Sequence, residues 1–386
     1  SNDSFTVQRL EAAGALVFGK THTTEWGMDP VGRSPNHALP HNAYRRDRAA
    51  GGSSTGAGVA VALGVCPVAV GSDGGGSIRI PATLNGVLGL KPTFPRVGRS
   101  GDIFGTGTVS HIGPLGQSTT DLVDALLALS DADPNDPMSD WVPDRGQLSS
   151  TLEAALGRGV NGCRVGVVRS EWEAADPTIV SLCESALTAL ESEGAVLVDV
   201  EHPTARMAMP AGVATIGVET LAGLLDDRRE YGTQMGDDLR MLLNLLASIP
   251  AGDVGQARRV RTRLRRDTAA VLAGVDVLAL PSVAGPAPAF PLADTRRAVI
   301  DDSGNWAMCR FMFLANLTGL PAGSVPVGLV DGTPVGLQIL GDAWDEASVV
   351  AVMAHLERLG VARLPRPPGY RALAADLSEA LAGDSP

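Results

Sequence analysis

Ser77 closes the run Asp73-Gly74-Gly75-Gly76-Ser77-Ile78-Arg79, and Ser53 and Ser54 lie in a second glycine loop, Gly51-Gly52-Ser53-Ser54-Thr55-Gly56. A serine beside consecutive glycines suits attack on a carbonyl. Glycine allows backbone conformations that turn successive N–H groups toward one point, where an oxyanion would form. Ser77 is then a candidate nucleophile, with donors from its own loop Gly74-Gly75-Gly76 around its hydroxyl, and the first loop would supply the hydroxyl that handles the proton. Taken alone, such a loop also reads as a plain tight turn after a strand. Other glycine-loop chemistries do not fit: neither a P-loop nor a dinucleotide fingerprint is present. The nucleophile-elbow pattern fails because Arg79 stands where its last glycine belongs.

The elements around these loops alternate. Phe5 to Ala13 reads as a helix and Ala15-Leu16-Val17-Phe18 as a short buried strand, while residues 27 to 50 lack periodicity and read as loop. Ala57 to Leu63 fits a short buried helix with a serine N-cap. Pro67 to Val70 is a buried strand that runs into the second glycine loop. Arg164 to Val168, Ala195 to Val198 and Val275 to Leu280 are further strands, with Ile179, Leu182, Cys183, Ala186, Leu187 and Leu190 at helical spacing between the first two. Residues 203 to 273 look mostly helical, and Asp131 to Pro143 is the best linker candidate. Strand–helix–strand order predicts an α/β fold with helices on the faces of a sheet.

The 386 residues are enough for a substantial core, and 44% hydrophobic residues with 46 Gly and 26 Pro suit a turn-rich globule. A net charge of −12 argues against nucleic acid or an anionic membrane as partner. No apolar run approaches the ~20 residues of a membrane span. Cys66, Cys163, Cys183 and Cys309 form no C-x-x-C pair, so neither a metal site nor a disulfide framework is expected. A cytoplasmic setting and no cofactor are expected, and a homodimer is left open. Only Lys20 and Lys91 are lysines among 31 basic residues, so lysine chemistry has two candidates. The arginine-rich stretch Arg258 to Arg266 reads as a solvated helix face.

The segment Gly51 to Thr93 resembles the amidase signature family, whose members hydrolyse amides with a Ser–cis-Ser–Lys triad. Ser53 and Ser77 are 24 residues apart, as in that family, and Gly71 to Pro81 is similar to its G-[ST]-D-x-G-G-S-[IV]-R-x-P block. Asn85-Gly86-Val87-Leu88-Gly89-Leu90-Lys91-Pro92-Thr93 resembles CGVVGLKPT, with Asn85 in place of Cys. Gly14 to Thr21 looks like the GAIIIGKTN strand, Ile112-Gly113-Pro114 like the DxxGP turn, and Asn316 to Pro326 with Gly332 to Gln338 like the C-terminal block. The resemblance covers nearly all of the chain and implies a single amidase signature domain over residues 1–386, with 51–93 as the signature region. The implied fold is a central mixed β-sheet covered by helices on both faces.

By the same resemblance Ser77 forms the acyl-enzyme, the N–H groups of Gly74, Gly75, Gly76 and Ser77 form the oxyanion hole, Ser53 bridges after a cis peptide from Gly52, and Ser54, Asp73 and Arg79 support the loop. The family's base is a lysine in a V-K-D-[NL] strand upstream of the GKT strand. Lys20 and Lys91 match its other two motif lysines, so the base is expected in an N-terminal segment not included in this sequence. A non-catalytic homologue and a recruited Lys20 are the alternatives. Expected substrates are small apolar or aryl amides, with carbamates or esters as side activities, and Trp26, Gly27, Met28, Trp306 and Phe311 are candidate pocket residues. Two rival readings stay open. One uses His111 as the base of a Ser–His–Asp triad. The other is an amidotransferase-type subunit that works on glutamine in a complex, from whose usual GGSSGG and SDTGGS motifs Thr55 and Gly74 depart.

Overall fold

The computed structural model describes residues 3–34, 36–38, 40–102, 107–290 and 302–371. Eight strands form one mixed sheet: β1 (Val68–Asp73), β2 (Leu88–Lys91), β3 (His111–Gly116), β4 (Arg164–Val167), β5 (Val196–Asp199), β6 (Val277–Pro281), β7 (Ala322–Val330) and β8 (Thr333–Leu340). Their order is β1-β3-β2-β7-β8-β6-β4-β5. Only β4 pairs in parallel, with β5 and β6; the other ladders are antiparallel.

The parallel edge follows from the strand–helix–strand pattern read in the sequence. Helix Pro177–Ser192 crosses from β4 to β5 and buries Ile179, Cys183, Ala186, Leu187 and Leu190. Asp176 caps it by accepting from the Thr178 N–H at 2.8 Å, with Pro177 in the first turn, where a missing N–H costs nothing. The central strands β6 and β8 are buried along their whole length, as expected of strands covered on both faces.

β1 is the edge that matters most. It pairs with β3 in register Asp73↔His111 and delivers the chain into Gly74-Gly75-Gly76-Ser77, after which helix Arg79–Leu84 dives into the core. Helix Ala208–Gly223 lies over this turn and packs against helix Phe313–Thr318.

Some expectations need correction. Ala15 to Phe18 is not a buried strand: it joins no ladder among the described residues, and Leu16 and Phe18 are 86% and 63% exposed. An apolar run becomes a strand only where a partner strand satisfies its backbone, and here none is described. Ile112-Gly113-Pro114 is not a turn but part of β3, where Gly113 pairs with Gly71. Residues 131–143 are not a slack linker, because Asp133 and Asp136 are buried and accept from Ser100 N–H at 3.0 Å and Arg99 N–H at 3.2 Å.

Close packing under the site yields a test. Gly212, inside helix Ala208–Gly223, has no room for a side chain: a Cβ would lie 2.2 Å from Phe313 Cδ1. Helix propensity favours alanine over glycine by about 1 kcal/mol, yet Gly212→Ala is expected to destabilise the protein. Urea unfolding reads the sign, and a stabilised variant would contradict the tight contact.

Candidate active site

The second glycine loop is shaped by one carboxylate. Asp73, at the end of β1, is fully buried; its Oδ1 accepts from Gly76 N–H at 2.7 Å, and its Oδ2 accepts from Ile78 N–H at 3.1 Å and Arg79 N–H at 3.4 Å. The Arg79 guanidinium, also fully buried, clasps both oxygens through Nη2 at 2.9 Å and Nε at 3.0 Å. It then donates to Asn316 Oδ1 at 2.6 Å, Met312 O at 3.1 Å and Gln338 Oε1. Asn316 donates back to Asp73 Oδ1 at 2.9 Å and to the Asp73 carbonyl at 2.8 Å. Burial alone would raise the Asp73 carboxyl, but Arg79, Asn316 and Lys91 together hold it well below the usual carboxylate range. Asp73 and Arg79 are therefore the loop-holding pair that the sequence suggested.

This changes the set of available donors. Gly76 is not free to bind an oxyanion, since its N–H is taken by Asp73. The N–H groups of Gly74, Gly75 and Ser77 have no acceptor among the described residues. Gly76 serves the turn in another way: its φ is +115°, a left-handed value that favours glycine.

The first loop is held by the segment before it. Gly51 and Gly52 donate to Val31 O at 3.0 Å and Pro30 O at 2.8 Å, and Thr24 N–H donates to Ser53 O at 3.1 Å. Asn85, where the family motif has Cys, donates to Ala50 O at 2.7 Å and Pro81 O at 2.8 Å and accepts from Ala43 N–H at 3.0 Å. The Gly52–Ser53 peptide is cis. A serine, Ser54, does stand at the N-cap of the helix Thr55–Ala62, but its side chain makes no capping hydrogen bond. Its hydroxyl instead accepts from Ser72 N–H at 3.3 Å and donates to Ser72 O at 3.2 Å. With Ser54 N–H on Ser77 O at 3.3 Å, the two serine loops are stitched together.

Ser53 and Ser77 line one cleft of about 580 Å³ with Trp26, Gly27, Met28, Ser72, Gly74, Val109, Ser110, Ile216, Glu219, Thr220 and Leu224. Trp26, Gly27 and Met28 thus share a cleft with the two serines. Trp306 and Phe311 are not in the wall. Phe311 is buried against Ala175 and Ala284 in a separate apolar cluster, and Trp306 is 43% exposed on helix Asp302–Cys309. The wall they were expected to form comes from helix Ala208–Gly223, whose Ile216, Glu219 and Thr220 share one face at i, i+3 and i+4 spacing. That spacing was present in the sequence, but the helix is rich in small apolar residues all round and shows no stripe to single it out.

Glu219 is the only ionisable residue of this lining. Its Oε2 accepts from Thr108 N–H at 2.8 Å and its Oε1 from Thr108 Oγ1 at 2.6 Å. Arg261 lies behind them, donating to Thr108 O at 2.8 Å, to Thr108 Oγ1 and to Leu317 O at 2.8 Å. Burial, with Arg265 nearby, pushes Arg261 down to about 10, so it stays protonated at neutral pH. Arg261 is the exception in a stretch whose other arginines are exposed, as the sequence reading expected.

Three candidate bases can be placed. Lys20 is exposed, and the fully buried Lys91 donates to Pro92 O at 2.9 Å. His111 is buried in β3, with Nδ1 2.7 Å from Val109 O and 3.3 Å from Asp73 O. Burial, with Lys91 nearby, drives its ring well below its ordinary value. None of the three has a hydrogen bond to Ser53 or Ser77.

Comparison with known proteins places the chain in a family. The amidase family model matches residues 1–350. The chain belongs to the amidase signature family. A fatty acid amide hydrolase of Medicago truncatula is 34% identical over 374 residues, which are 95% of this chain and 61% of that protein. The chain thus spans about three fifths of the length of that relative. A glutamyl-tRNA(Gln) amidotransferase subunit of Chloroflexus aurantiacus is 33% identical over 94% of this chain and 77% of its own. Among solved structures, a bacterial aryl acylamidase of the amidase signature family superposes with a TM-score of 0.82 at 26% identity, over 94% of this chain and 76% of that one.

Two outcomes follow for this family member. Arg79→Met leaves a buried carboxylate without its cation, which typically costs about 3–5 kcal/mol; denaturant unfolding should show a loss of that order, and a change below about 1 kcal/mol would remove the anchor from the account. His111 supplies a pH test. Its folded value lies below the unfolded 6.5, so the unfolded chain binds a proton that the folded chain refuses. Its contribution is complete above about pH 6.5 and declines as the pH falls below it. In His111→Leu the fall in melting temperature between pH 7 and pH 5 should be shallower, because the group that refuses the proton is gone, while Asp73 O and Val109 O keep Asn316 as donor. An unchanged slope would mean that His111 is not the group responsible.

Proposed function

We propose that this chain hydrolyses a carboxamide by acyl transfer through Ser77. The observation that carries the reading is the Ser77 hydroxyl in a cleft beside the uncommitted N–H groups of Gly74, Gly75 and Ser77, with Ser53 lining the same cleft. Ser77 Oγ attacks the carbonyl carbon, and the carbonyl oxygen takes the electron pair as an oxyanion on those three donors. Ser53 accepts the Ser77 proton and passes its own onward. The leaving amine departs with a proton, and water then hydrolyses the acyl-enzyme. The final proton acceptor in the resemblance is a neutral lysine; neither Lys20 nor Lys91 fills that role, one being exposed and the other hydrogen-bonded to Pro92 O.

Trp26, Met28, Ile216 and Leu224 give the cleft apolar walls, which favours small apolar or aryl amides, with carbamates and esters as side activities. The relatives support the same class: those named above include a fatty acid amide hydrolase and an aryl acylamidase. The likeness to an amidotransferase component favours a second reading, a glutaminase that works only within a complex. Turnover of aryl amides by the isolated chain, without response to glutamine, separates the two.

Ser77→Ala should abolish amide turnover while circular dichroism and melting temperature stay near those of the parent. Ser53→Ala should lower kcat by about 10²–10⁴-fold, the usual worth of a proton-transfer group. Ser77-dependent turnover that survives in His111→Ala within about tenfold would dismiss His111 as a base. Retained hydrolysis in Ser77→Ala would sink the acyl-enzyme reading.

A further inference from the structure

Glu219 is the one ionisable residue lining a cleft whose other lining side chains are apolar or hydroxylic, and its carboxylate sits at the rim beside Thr108. A partly buried carboxylate is usually matched by a cation, but here its hydrogen bonds come from a neutral partner, Thr108 N–H at 2.8 Å and Thr108 Oγ1 at 2.6 Å. Arg261 approaches from behind and spends its donors on Thr108 O, Thr108 Oγ1 and Leu317 O; its charge acts on Glu219 from that distance, but among the described residues no cation makes a direct ion pair with the carboxylate. Each carboxylate oxygen has capacity for a further hydrogen bond. Beside Oε2 the space is kept open by Gly107, where a Cβ would stand only 2.4 Å away. Thr108 and Arg261 thus fix the orientation of a charge that nothing in the wall consumes.

We propose that Glu219 is a specificity-determining residue that selects amides bearing a protonated amine, whose ammonium it binds while the scissile carbonyl lies at Ser77. The proposal rests on the acyl-transfer reading for where the carbonyl sits, but its binding step does not depend on turnover. The ammonium donates to a free lone pair of Glu219, forming a charge-assisted hydrogen bond in a partly desolvated setting, and the chain's net charge of −12 favours approach of a cation over an anion.

The test uses the Ser77→Ala chain, which binds without consuming the ligand, and compares aminomethyl-benzamides (meta and para) with their ethyl isosteres by calorimetry. The charged ligand of at least one pair should bind about tenfold or more tightly, as expected of one charge-assisted hydrogen bond. The preference should disappear as the pH rises through the ligand's own amine pKa. It should also fall toward unity in Ser77→Ala/Glu219→Gln, in which the amide oxygen still accepts from Thr108. Equal affinities in Ser77→Ala, or a preference that persists with the uncharged amine or in the Glu219→Gln protein, would overturn the proposal. If the Glu219→Gln protein does not fold, the pH dependence in the Ser77→Ala chain decides alone. A preference for the ammonium, combined with no Ser77-dependent hydrolysis of either ligand, would support Glu219 while telling against the acyl-transfer reading.

Discussion

The buried pair Asp73–Arg79 is the interaction on which the rest of the site depends. Two opposite charges without solvent are costly to bury, and they persist here because hydrogen bonds engage both Asp73 carboxylate oxygens and all three Arg79 guanidinium nitrogens. The pair joins the end of β1 to helix Phe313–Thr318 through Asn316 and to β8 through Gln338. Distant parts of the chain therefore converge on one carboxylate. What it fixes is the direction of the glycine turn: Asp73 takes the N–H groups of Gly76 and Ile78 and leaves those of Gly74, Gly75 and Ser77 without partners. A turn held this way needs little reorganisation when charge develops on a substrate, which is the condition under which backbone donors contribute most.

Packing sets a second constraint. A Cβ on Gly75 would lie 2.6 Å from Phe313 Cζ, and one on Gly74 would lie 2.7 Å from Ile216 Cδ1. Helix Ala208–Gly223 touches the same Phe313 through Gly212 and presents Ile216, Glu219 and Thr220 to the cleft. The cleft wall and the glycine turn proposed to bind the oxyanion are therefore mechanically joined. Substitutions in that helix should act on both.

The parts of the molecule legible in the sequence are those with strong local signals. The strands at 164–168 and 275–280, the helix around Ile179 to Leu190, and the strand leading to Gly74 all carry apolar runs or helical spacing and are found near where they were expected, although the last, at the sheet edge, is mostly half-buried rather than buried. The two serine loops were legible as chemistry because the family resemblance linked them across 24 residues; alone, a glycine run beside a serine reads as well as a plain tight turn. The cleft wall was not legible, because Ile216, Glu219 and Thr220 lie on a helix that is nearly uniform in small apolar residues. Nor was the exclusion of Gly76 from the donor set, since a sequence cannot tell which N–H groups a carboxylate will claim. Arg261 was hidden for the opposite reason: it belongs to a charged run, and only the fold reveals which member turns inward. The stretch Ala15 to Phe18 failed as a strand because apolar character gives no information on whether a neighbour exists to pair with it.

In the proposed acyl transfer the Asp73–Arg79 anchor leaves three backbone donors, and not four, for the oxyanion. A crystal structure with a boronic acid attached to Ser77 is the decisive measurement, because one boronate oxygen mimics the oxyanion. That oxygen should accept from the N–H groups of Gly74, Gly75 and Ser77, while Gly76 N–H remains on Asp73 Oδ1. A boronate on another residue, or an oxygen bound by Gly76 N–H with Asp73 displaced, would contradict it.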